Sequence, residues 1–202
     1  MKLPLPRLDS QFSLEKAINN RRSIRGYADI PVTLADISQL LWAAQGILEP
    51  ASTRTVPSAG ATYPLDLFMV AGKVEAIPPG LYEYANRSHD IVLVTEGDYR
   101  QALSKAALGQ TIIEDAPLSL LFTANYERTT RRYGERGIRY VQMEAGHAAQ
   151  NVYLQATALG LGTVVVGAFD EAAIIRVLRL PAAARPLYIM PVGKLVQETQ
   201  FE

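Results

Sequence analysis

The chain has 202 residues, 49% of them hydrophobic, and its 20 basic residues balance its 20 acidic residues. This length suits a single domain over residues 1–202, with a core large enough to need neither disulfides nor a structural metal. The zero net charge excludes a general electrostatic attraction to nucleic acid or to an anionic membrane. Any anion-binding site must therefore be local.

Cysteine is absent and histidine occurs twice, which narrows the chemistry that the side chains can perform. Disulfides, thiolate metal sites and cysteine nucleophiles are excluded, and two histidines are too few for an ordinary zinc cluster. We therefore predict no metal site. A redox function would need a bound cofactor, because none of the side chains present carries hydrides.

The chain carries no recognisable export or membrane signal. Its first twelve residues mix prolines with charges, unlike the basic and then apolar order of a signal peptide. Polar side chains interrupt the longest apolar stretches, so no membrane-spanning helix is expected. The simplest prediction is a cytoplasmic protein.

The first third of the chain predicts two helices. Ser13 is placed to cap a helix that ends at Asn20, with an apolar face formed by Leu14, Ala17 and Ile18. A second helix should begin after a capping box and end at a glycine. The capping box is Thr33 with Asp36, and the glycine that ends the helix is Gly46. The apolar stripe between them is formed by Leu34, Ile37, Leu40, Leu41 and Ala44.

The rest of the chain, after a loop from Glu49 to Pro64, alternates irregularly between strand and helix patterns. Strands are predicted at 65–71, 80–84, 91–94, 118–124, 163–166 and 186–192, with the second and third forming a hairpin. Helices are predicted at 99–108, 138–159 and 170–180, and 125–137 is predicted as a polar loop. This order predicts an α+β sandwich with a mixed, mainly antiparallel sheet, flanking helices and a long central helix.

A basic cluster follows the first predicted helix. Arg21, Arg22, Ser23 and Arg25 could surround a phosphate group with charge-assisted hydrogen bonds. The alternative is a solvated basic helix end that stabilises the helix dipole and binds nothing. The cluster alone does not decide between these interpretations.

Two further segments are rich in small residues. In the loop from Pro57 to Pro64, small side chains would let backbone amides approach a planar ring closely, although an ordinary turn has the same composition. The segment GLGTVVVG, residues 160–167, contains a helix stop, a buried strand and a glycine. Neither segment is a dinucleotide-binding fingerprint or a P-loop, which favours a mononucleotide held by arginines.

The order of these motifs resembles the FMN-dependent nitroreductase superfamily over nearly the whole chain. The motifs are RRSIRGY, PSAGATYPL and EAGHAAQNVYLQATALGLGTVVVGAF. PSAGATYP and RYVQMEAGHAAQN are most similar to the dehydrogenases that oxidise azolines to azoles in peptide maturation. The resemblance implies a nitroreductase-like fold and a homodimer with FMN at the subunit interface, each site being built from both chains.

The resemblance also implies roles for individual residues. Arg21, Arg22 and Ser23 match residues that grip the FMN phosphate and ribityl chain, and Arg25 matches a basic residue beside the pyrimidine edge. The family's loop on the flavin edge is matched by Ser58, Ala59, Gly60 and Ala61. The family's segment near N5 is matched by Val165, Val166 and Gly167.

The chain departs from the family pattern at three places. Ala61 replaces a frequent asparagine, and Val166 replaces a frequent glutamate, so backbone amides would have to serve near N5. A late basic residue that commonly reaches the phosphate has no assignable counterpart after Lys194.

Tyr140, preceded by Arg139, matches a basic residue and tyrosine pair implicated in proton handling, so Tyr140 is the candidate catalytic side chain.

Three functions remain open at this level. The first is an FMN-dependent oxidoreductase that uses NADH or NADPH to reduce small acceptors such as nitroaromatics or quinones. The second is an azoline-to-azole dehydrogenase acting on a modified peptide. The third is a flavin-binding or carrier protein without turnover.

Overall fold

The computed structural model describes residues 1–48, 50 and 53–196. Glu49, Ala51 and Ser52 of the predicted 49–64 loop lie outside this part, as do residues 197–202. The region in which a late phosphate-binding residue was expected is therefore largely outside the described residues.

A six-stranded sheet forms the centre of the fold, in the order β5-β4-β3-β6-β8-β7, and each neighbouring pair of these strands is antiparallel. A separate two-stranded ribbon joins β1 to β2. The strands are β1 (Ile47–Leu48), β2 (Thr53–Arg54), β3 (Leu65–Ala71), β4 (Gly80–Ala85), β5 (Asp90–Glu96), β6 (Leu118–Ala124), β7 (Leu161–Thr163) and β8 (Arg185–Lys194). The predicted hairpin is the β4–β5 pair.

Helices cover both faces of this sheet, and a short 3₁₀ turn occupies Ala59–Ala61. The helices are α1 (Leu14–Asn20), α2 (Leu34–Gln45), α3 (Arg100–Ala106), α4 (Ile112–Asp115), α5 (Glu127–Tyr133), α6 (Arg136–Ala158) and α7 (Glu171–Leu178). Ser13, Thr33 and Asp170 cap α1, α2 and α7, because each side chain accepts a backbone N–H of the first turn.

The sheet separates two apolar cores, and β6 contributes to both. Leu120 and Phe122 pack into the core formed with α2 and α6, whereas Leu121 packs into the core formed with α3 and α7. Because alternate side chains of a strand point to opposite faces, a strand between two layers must be apolar on both sides. This arrangement confirms the predicted α+β sandwich with a long central helix.

Helix α1 has its predicted cap and end, but of its apolar face only Ala17 is buried, while Leu14 and Ile18 are 61% and 56% exposed, because this short helix packs on α6 along one side only. Two local predictions are wrong. The predicted strand at 163–166 begins and ends earlier, as β7, because its extent is set by pairing with β8. The predicted polar loop at 125–137 contains α5.

Membrane insertion of a helix finds no support here. Within residues 1–48, 50 and 53–196, no helix combines the length and the apolar character needed to cross a bilayer. The long helix α6 is amphipathic, with Val141, Ala148 and Val152 buried and Met143 exposed.

A histidine network fastens the N-terminal segment to the sheet. His89 Nε2 lies 2.7 Å from Ser38 Oγ and 3.0 Å from the Pro4 carbonyl oxygen, and its Nδ1 lies 2.8 Å from the Tyr84 hydroxyl. A neutral ring satisfies these partners, since Nε2–H can donate to Pro4 while Nδ1 accepts from Tyr84. Burial lowers the pKa of His89.

We expect this network to make stability fall in mild acid. A histidine whose folded-state pKa is lowered contributes stability above its unfolded pKa of about 6.5, and that contribution is lost as pH falls. His89→Asn, which suits the positive φ of 53° at this position, should cost about 1–2 kcal/mol near neutral pH through lost hydrogen bonds. Urea unfolding at neutral pH and in mild acid should show that the difference in the free energy of unfolding between wild type and variant becomes smaller as the pH falls. A difference that grows as the pH falls would contradict the assignment.

Candidate functional site

The basic cluster lies against the short edge strand β7. The Ile24 N–H donates to the Thr163 carbonyl oxygen over 2.9 Å, and a methyl group built on Gly162 would lie 2.6 Å from Ile24 Cγ2. Gly162 is thus needed for this close approach. Arg22, Ser23 and Arg25 are exposed beside the contact, and Arg21 is half-buried.

Tyr153 of α6 joins the basic cluster to the segment after β7. Its hydroxyl accepts the Val165 N–H over 2.8 Å and lies 3.2 Å from Ser23 Oγ. The Arg21 guanidinium lies 5.3 Å from the centre of the same ring, a cation–π distance. Two of the three predicted site segments are therefore adjacent in one chain.

Across the part of the chain that the structure describes, neither Arg21 nor Arg25 has an ion-pair partner. Arg22 Nη1 donates to the carbonyl oxygens of Asn19 and Arg21. Two arginines beside a hydroxyl form a local cationic surface that suits a phosphate group, so the residues present fit a mononucleotide.

A cleft of about 560 Å³ opens beside this cationic surface. Its lining includes Asn20, Arg22, Ile24, Leu161 and Lys194. Lys194 Nζ lies 2.7 Å from Asp36 Oδ2, so its charge is already paired. Lys194 is therefore not the unpaired late basic residue that the family pattern would supply.

The segment near the predicted N5 position offers fewer free amides than expected. The Val165 N–H bonds to Tyr153, and Val166 exchanges two backbone hydrogen bonds with Ile189, at 2.8 and 2.9 Å. Gly167 is exposed, and its N–H has no hydrogen-bond acceptor among residues 1–48, 50 and 53–196. If a backbone amide serves near N5, Gly167 is the residue that can provide it without breaking a bond.

The loop at Ser58, Ala59, Gly60 and Ala61 is conformationally strained. Gly60, Ala61 and Tyr63 have φ values of 58°, 53° and 47°. Such left-handed geometry suits glycine but costs an alanine about 1–2 kcal/mol. Strain of this kind concentrates at functional sites, where the surroundings hold the backbone in place. Asparagine, the frequent family residue at position 61, tolerates this geometry better than alanine does.

Helix α5 covers this loop. Arg132 Nη1 donates to the Gly60 carbonyl oxygen over 3.1 Å, and a methyl group built on Gly60 would lie 2.5 Å from Tyr133 Oη. Thr62 Oγ1 and Thr129 Oγ1 lie 2.8 Å apart, which adds a third contact. The loop conformation is therefore held by a helix that the sequence patterns did not predict.

Tyr140, the candidate catalytic residue, reaches this loop through a second tyrosine. Its half-buried ring meets that of Tyr133 edge-on, with centres 5.2 Å apart. Arg139, its predicted cationic neighbour, is exposed and has no ion pair in the described part of the chain. The Arg132 guanidinium lies 5.5 Å from the centre of the Tyr133 ring, a cation–π distance.

A buried carboxyl group lies beneath the same loop. Glu144 on α6 is 3% exposed, and burial raises its pKa, while the Ser58 hydroxyl and the Arg54 charge oppose that shift. Sequence patterns missed Glu144 and Tyr153, because both lie within one long amphipathic repeat. A charged residue at a buried position of that repeat was the available signal for Glu144.

The two parts of the candidate site lie apart in a single chain. Glu144 and Tyr153 are nine residues apart on α6, a rise of about 13 Å. In the described residues, no hydrogen bond, ion pair or ring contact connects loop 58–61 to residues 21–25 or 165–167. These contacts therefore do not bring all three segments together in the described part of one chain.

Comparison with known proteins defines the class. The family model described as "Nitroreductase family" matches residues 18–194. A provisionally named nitroreductase of Methanocaldococcus jannaschii is 46% identical over 197 residues, covering 98% of each chain. A Bacillus subtilis protein named FMN reductase [NAD(P)H] is 24% identical over 192 residues, covering 88% of this chain and 64% of its own.

Two solved structures share the fold of this chain. A nitroreductase-like protein of Ralstonia eutropha JMP134 superimposes with a TM-score of 0.84 at 29% identity, covering 97% of this chain and 89% of that one. A chain of the Escherichia coli microcin synthetase complex, solved with a truncated precursor peptide bound, superimposes with a TM-score of 0.74 at 23% identity. That alignment covers 98% of this chain and 79% of the other, and it concerns the fold.

These matches define an oxidoreductase with the nitroreductase fold. The chain belongs to the nitroreductase family. The resemblance to the nitroreductase superfamily stated from its motifs is confirmed. An oxidoreductase enzyme is favoured over a carrier without turnover.

Proposed function

We propose that the protein is an FMN-dependent oxidoreductase that uses NADH or NADPH to reduce small acceptors such as nitroaromatics or quinones. The observation that carries this proposal is the contact set of Tyr153, which holds Arg21, Ser23 and Val165 around one ring. It supports a site with a cationic end for phosphate and a backbone segment for the ring system.

The residues have separate roles in this proposal. Arg21, Arg22 and Ser23 would bind the phosphate and ribityl chain, and Arg25 would place a positive charge at the pyrimidine edge. Loop 58–61 would border the ring, and Val165, Val166 and Gly167 would line the opposite side. When bound, FMN supplies hydride acceptance and donation at N5. The protein orients the reactants, excludes water and stabilises developing negative charge.

We further propose that the working unit is a cytoplasmic homodimer of single-domain chains. Four apolar side chains on α1 and α6 support a partner contact: Leu14, Ile18, Ile138 and Met143 are each at least 43% exposed. The separation of loop 58–61 from Tyr153 supports a site to which each chain contributes one part. Exposed apolar surface of this kind marks a protein interface when it is contiguous.

Steady-state turnover tests the proposal. Under anaerobic conditions, purified protein loaded with FMN should turn over NADH or NADPH only when a nitroaromatic or quinone acceptor is supplied, and removal of FMN should abolish the reaction. The apoprotein with the same acceptors is the control. Tight FMN binding without nicotinamide oxidation would overturn the reductase assignment while leaving the flavin site intact.

An azoline dehydrogenase remains the second candidate, supported by the position of Tyr140. The Tyr133–Tyr140 pair lies beside Gly60, where it could take up a proton from a ring being oxidised. In this case the donor would be an azoline in a modified peptide and oxygen would reoxidise the flavin. Bleaching of the bound flavin by an azoline peptide under anaerobic conditions, with recovery in air, would favour this candidate.

A further inference from the structure

A small cavity lies between the end of α2, the strand β2 and the turn that joins β4 to β5. Its volume is about 220 Å³, and its lining includes Gln45, Arg54, Asp66, Glu83 and Arg87. None of its lining residues belongs to the cationic cleft or to the three segments predicted to hold a flavin. The cavity, called the Gln45 cavity below, is therefore a separate place in the fold.

Gln45 gives this cavity a buried donor without an acceptor. The residue is 1% exposed, and its Oε1 atom accepts Arg54 Nη1 over 2.5 Å. Because a guanidinium can only donate, this contact sets the amide with its oxygen toward Arg54 and its NH₂ group away from it. That nitrogen, Nε2, has no hydrogen-bond partner in residues 1–48, 50 and 53–196. A buried donor of this kind calls for an acceptor, since buried polar groups are nearly always hydrogen-bonded.

Arg54 adds a positive charge and further donors beside the Gln45 amide. Its Nη1 atom also donates to the Leu65 carbonyl oxygen over 3.0 Å, whereas Nε and Nη2 bond to no acceptor in the described part of the chain. The guanidinium lies 4.7 Å from the centre of the Tyr63 ring, a cation–π distance, and forms no ion pair with a described carboxylate. Two neighbouring side chains thus offer donors that the protein does not use.

The carboxylates in the lining leave the charge of Arg54 unbalanced. Both oxygens of Asp66 accept from Arg128, over 2.7 and 2.9 Å, so this pair is neutral. Glu83 and Arg87 are exposed, and their opposite charges balance each other. One positive charge remains, that of Arg54, and an anion would neutralise it.

We propose that the Gln45 cavity binds a small carboxylate, one oxygen of which accepts from Gln45 Nε2 and the other from Arg54. A carboxylate is acceptor-only and has two oxygens in one plane, as two adjacent planar donor groups require. The apolar part of the lining, from Leu65, Leu67 and Ala85, suits a short alkyl chain. A chloride ion has neither a second acceptor atom nor an apolar part. This site goes beyond the proposed flavin function and does not depend on it.

The test is the thermal unfolding midpoint of the purified protein with excess FMN, as sodium propionate replaces sodium chloride at constant ionic strength and neutral pH. A ligand that binds only the folded state raises the midpoint as its concentration rises. Half-saturation is expected at about 1 mM, within the affinity available to a ligand of so few atoms. At about 100 mM propionate the midpoint should rise by about 5–10 °C.

Gln45→Glu removes the unpaired donor while keeping the oxygen that faces Arg54. The second oxygen puts a negative charge where the ligand would bind, so the response to propionate should be lost. The variant should unfold no earlier than wild type, because its new carboxylate pairs with Arg54. Gln101→Glu is the matched control, since it makes the same change of charge at an exposed position of α3, on the other face of the sheet. It should keep the wild-type response.

Three results would overturn the proposal. A wild-type midpoint that does not rise up to about 100 mM propionate would mean that water suffices for Gln45 Nε2. A full response in Gln45→Glu would place the propionate elsewhere, for example at the flavin. Loss of the response in Gln101→Glu as well would trace it to net charge. Fluorescence titration with FMN tests the proposed function separately from all three.

Discussion

Replacement of Arg21 and Arg25 together by alanine is expected to abolish retention of FMN through purification. Each guanidinium can form charge-assisted hydrogen bonds worth about 1.5–3 kcal/mol, so the loss of two should weaken binding at least about a hundredfold. Neither arginine has an ion-pair partner in the described residues, so the fold should be preserved. Fluorescence titration with FMN measures the affinity, and far-UV circular dichroism checks the fold.

A matched variant removes the same charge elsewhere. Arg87 and Arg176 are exposed on other parts of the surface, and their joint replacement by alanine should leave FMN affinity within about twofold of wild type. Normal retention of FMN by the Arg21 and Arg25 variant would remove both residues from the site. Equal loss in both double variants would point to net charge rather than to a local contact.

Tyr153→Phe is expected to weaken both the fold and the site. It removes the acceptor for the Val165 N–H and the contact with Ser23, and an unpaired amide in this half-buried position should cost about 1–2 kcal/mol. FMN affinity should fall about tenfold, because the two segments lose their shared support. Urea unfolding and FMN titration give the two quantities.

Tyr99→Phe controls for removal of a phenolic hydroxyl, since Tyr99 is half-buried and its hydroxyl has no hydrogen-bond partner among the described residues. This substitution should change neither the free energy of unfolding nor the FMN affinity measurably. Stability that falls in Tyr153→Phe while FMN affinity stays at the wild-type value would show that Tyr153 is structural only.

The fold was predictable wherever local or two-sided burial signals were strong. Thr33 and Gly46 mark the ends of α2 through capping and a glycine stop, which are local effects. The strands Leu65–Ala71 and Leu118–Ala124 match their predicted bounds because they are buried on both faces and are therefore mainly apolar.

Other elements depend on contacts that sequence periodicity does not encode. The extent of β7 depends on its partner β8, and α5, with a polar sequence, is held by packing on α6. Leu14 and Ile18 are apolar but exposed in a single chain. Pattern analysis cannot distinguish a core face from a face that contacts another chain, because both exclude water.

The candidate site was predictable as a set of segments but not as an arrangement. The motifs placed Arg21, Ser58 and Val165 in three segments, and only the folded chain shows that Tyr153 joins two of them. Glu144 and Arg132 were missed for the same reason, because they come close to the loop only in the folded chain. The expectation that backbone amides serve near N5 is left to Gly167, because pairing with Ile189 uses the Val166 amide.

Helix α6 fixes the distance between the two parts of the candidate site within each chain. A helix of 23 residues, buried along one side between α2 and the sheet, cannot change length or bend without disturbing the core on that side. The carboxyl group beneath the strained loop and the ring that supports the cationic segment are therefore kept at a fixed spacing. Substitutions in the surrounding loops can alter which molecules enter, while the helix preserves the distance between the two parts within each chain.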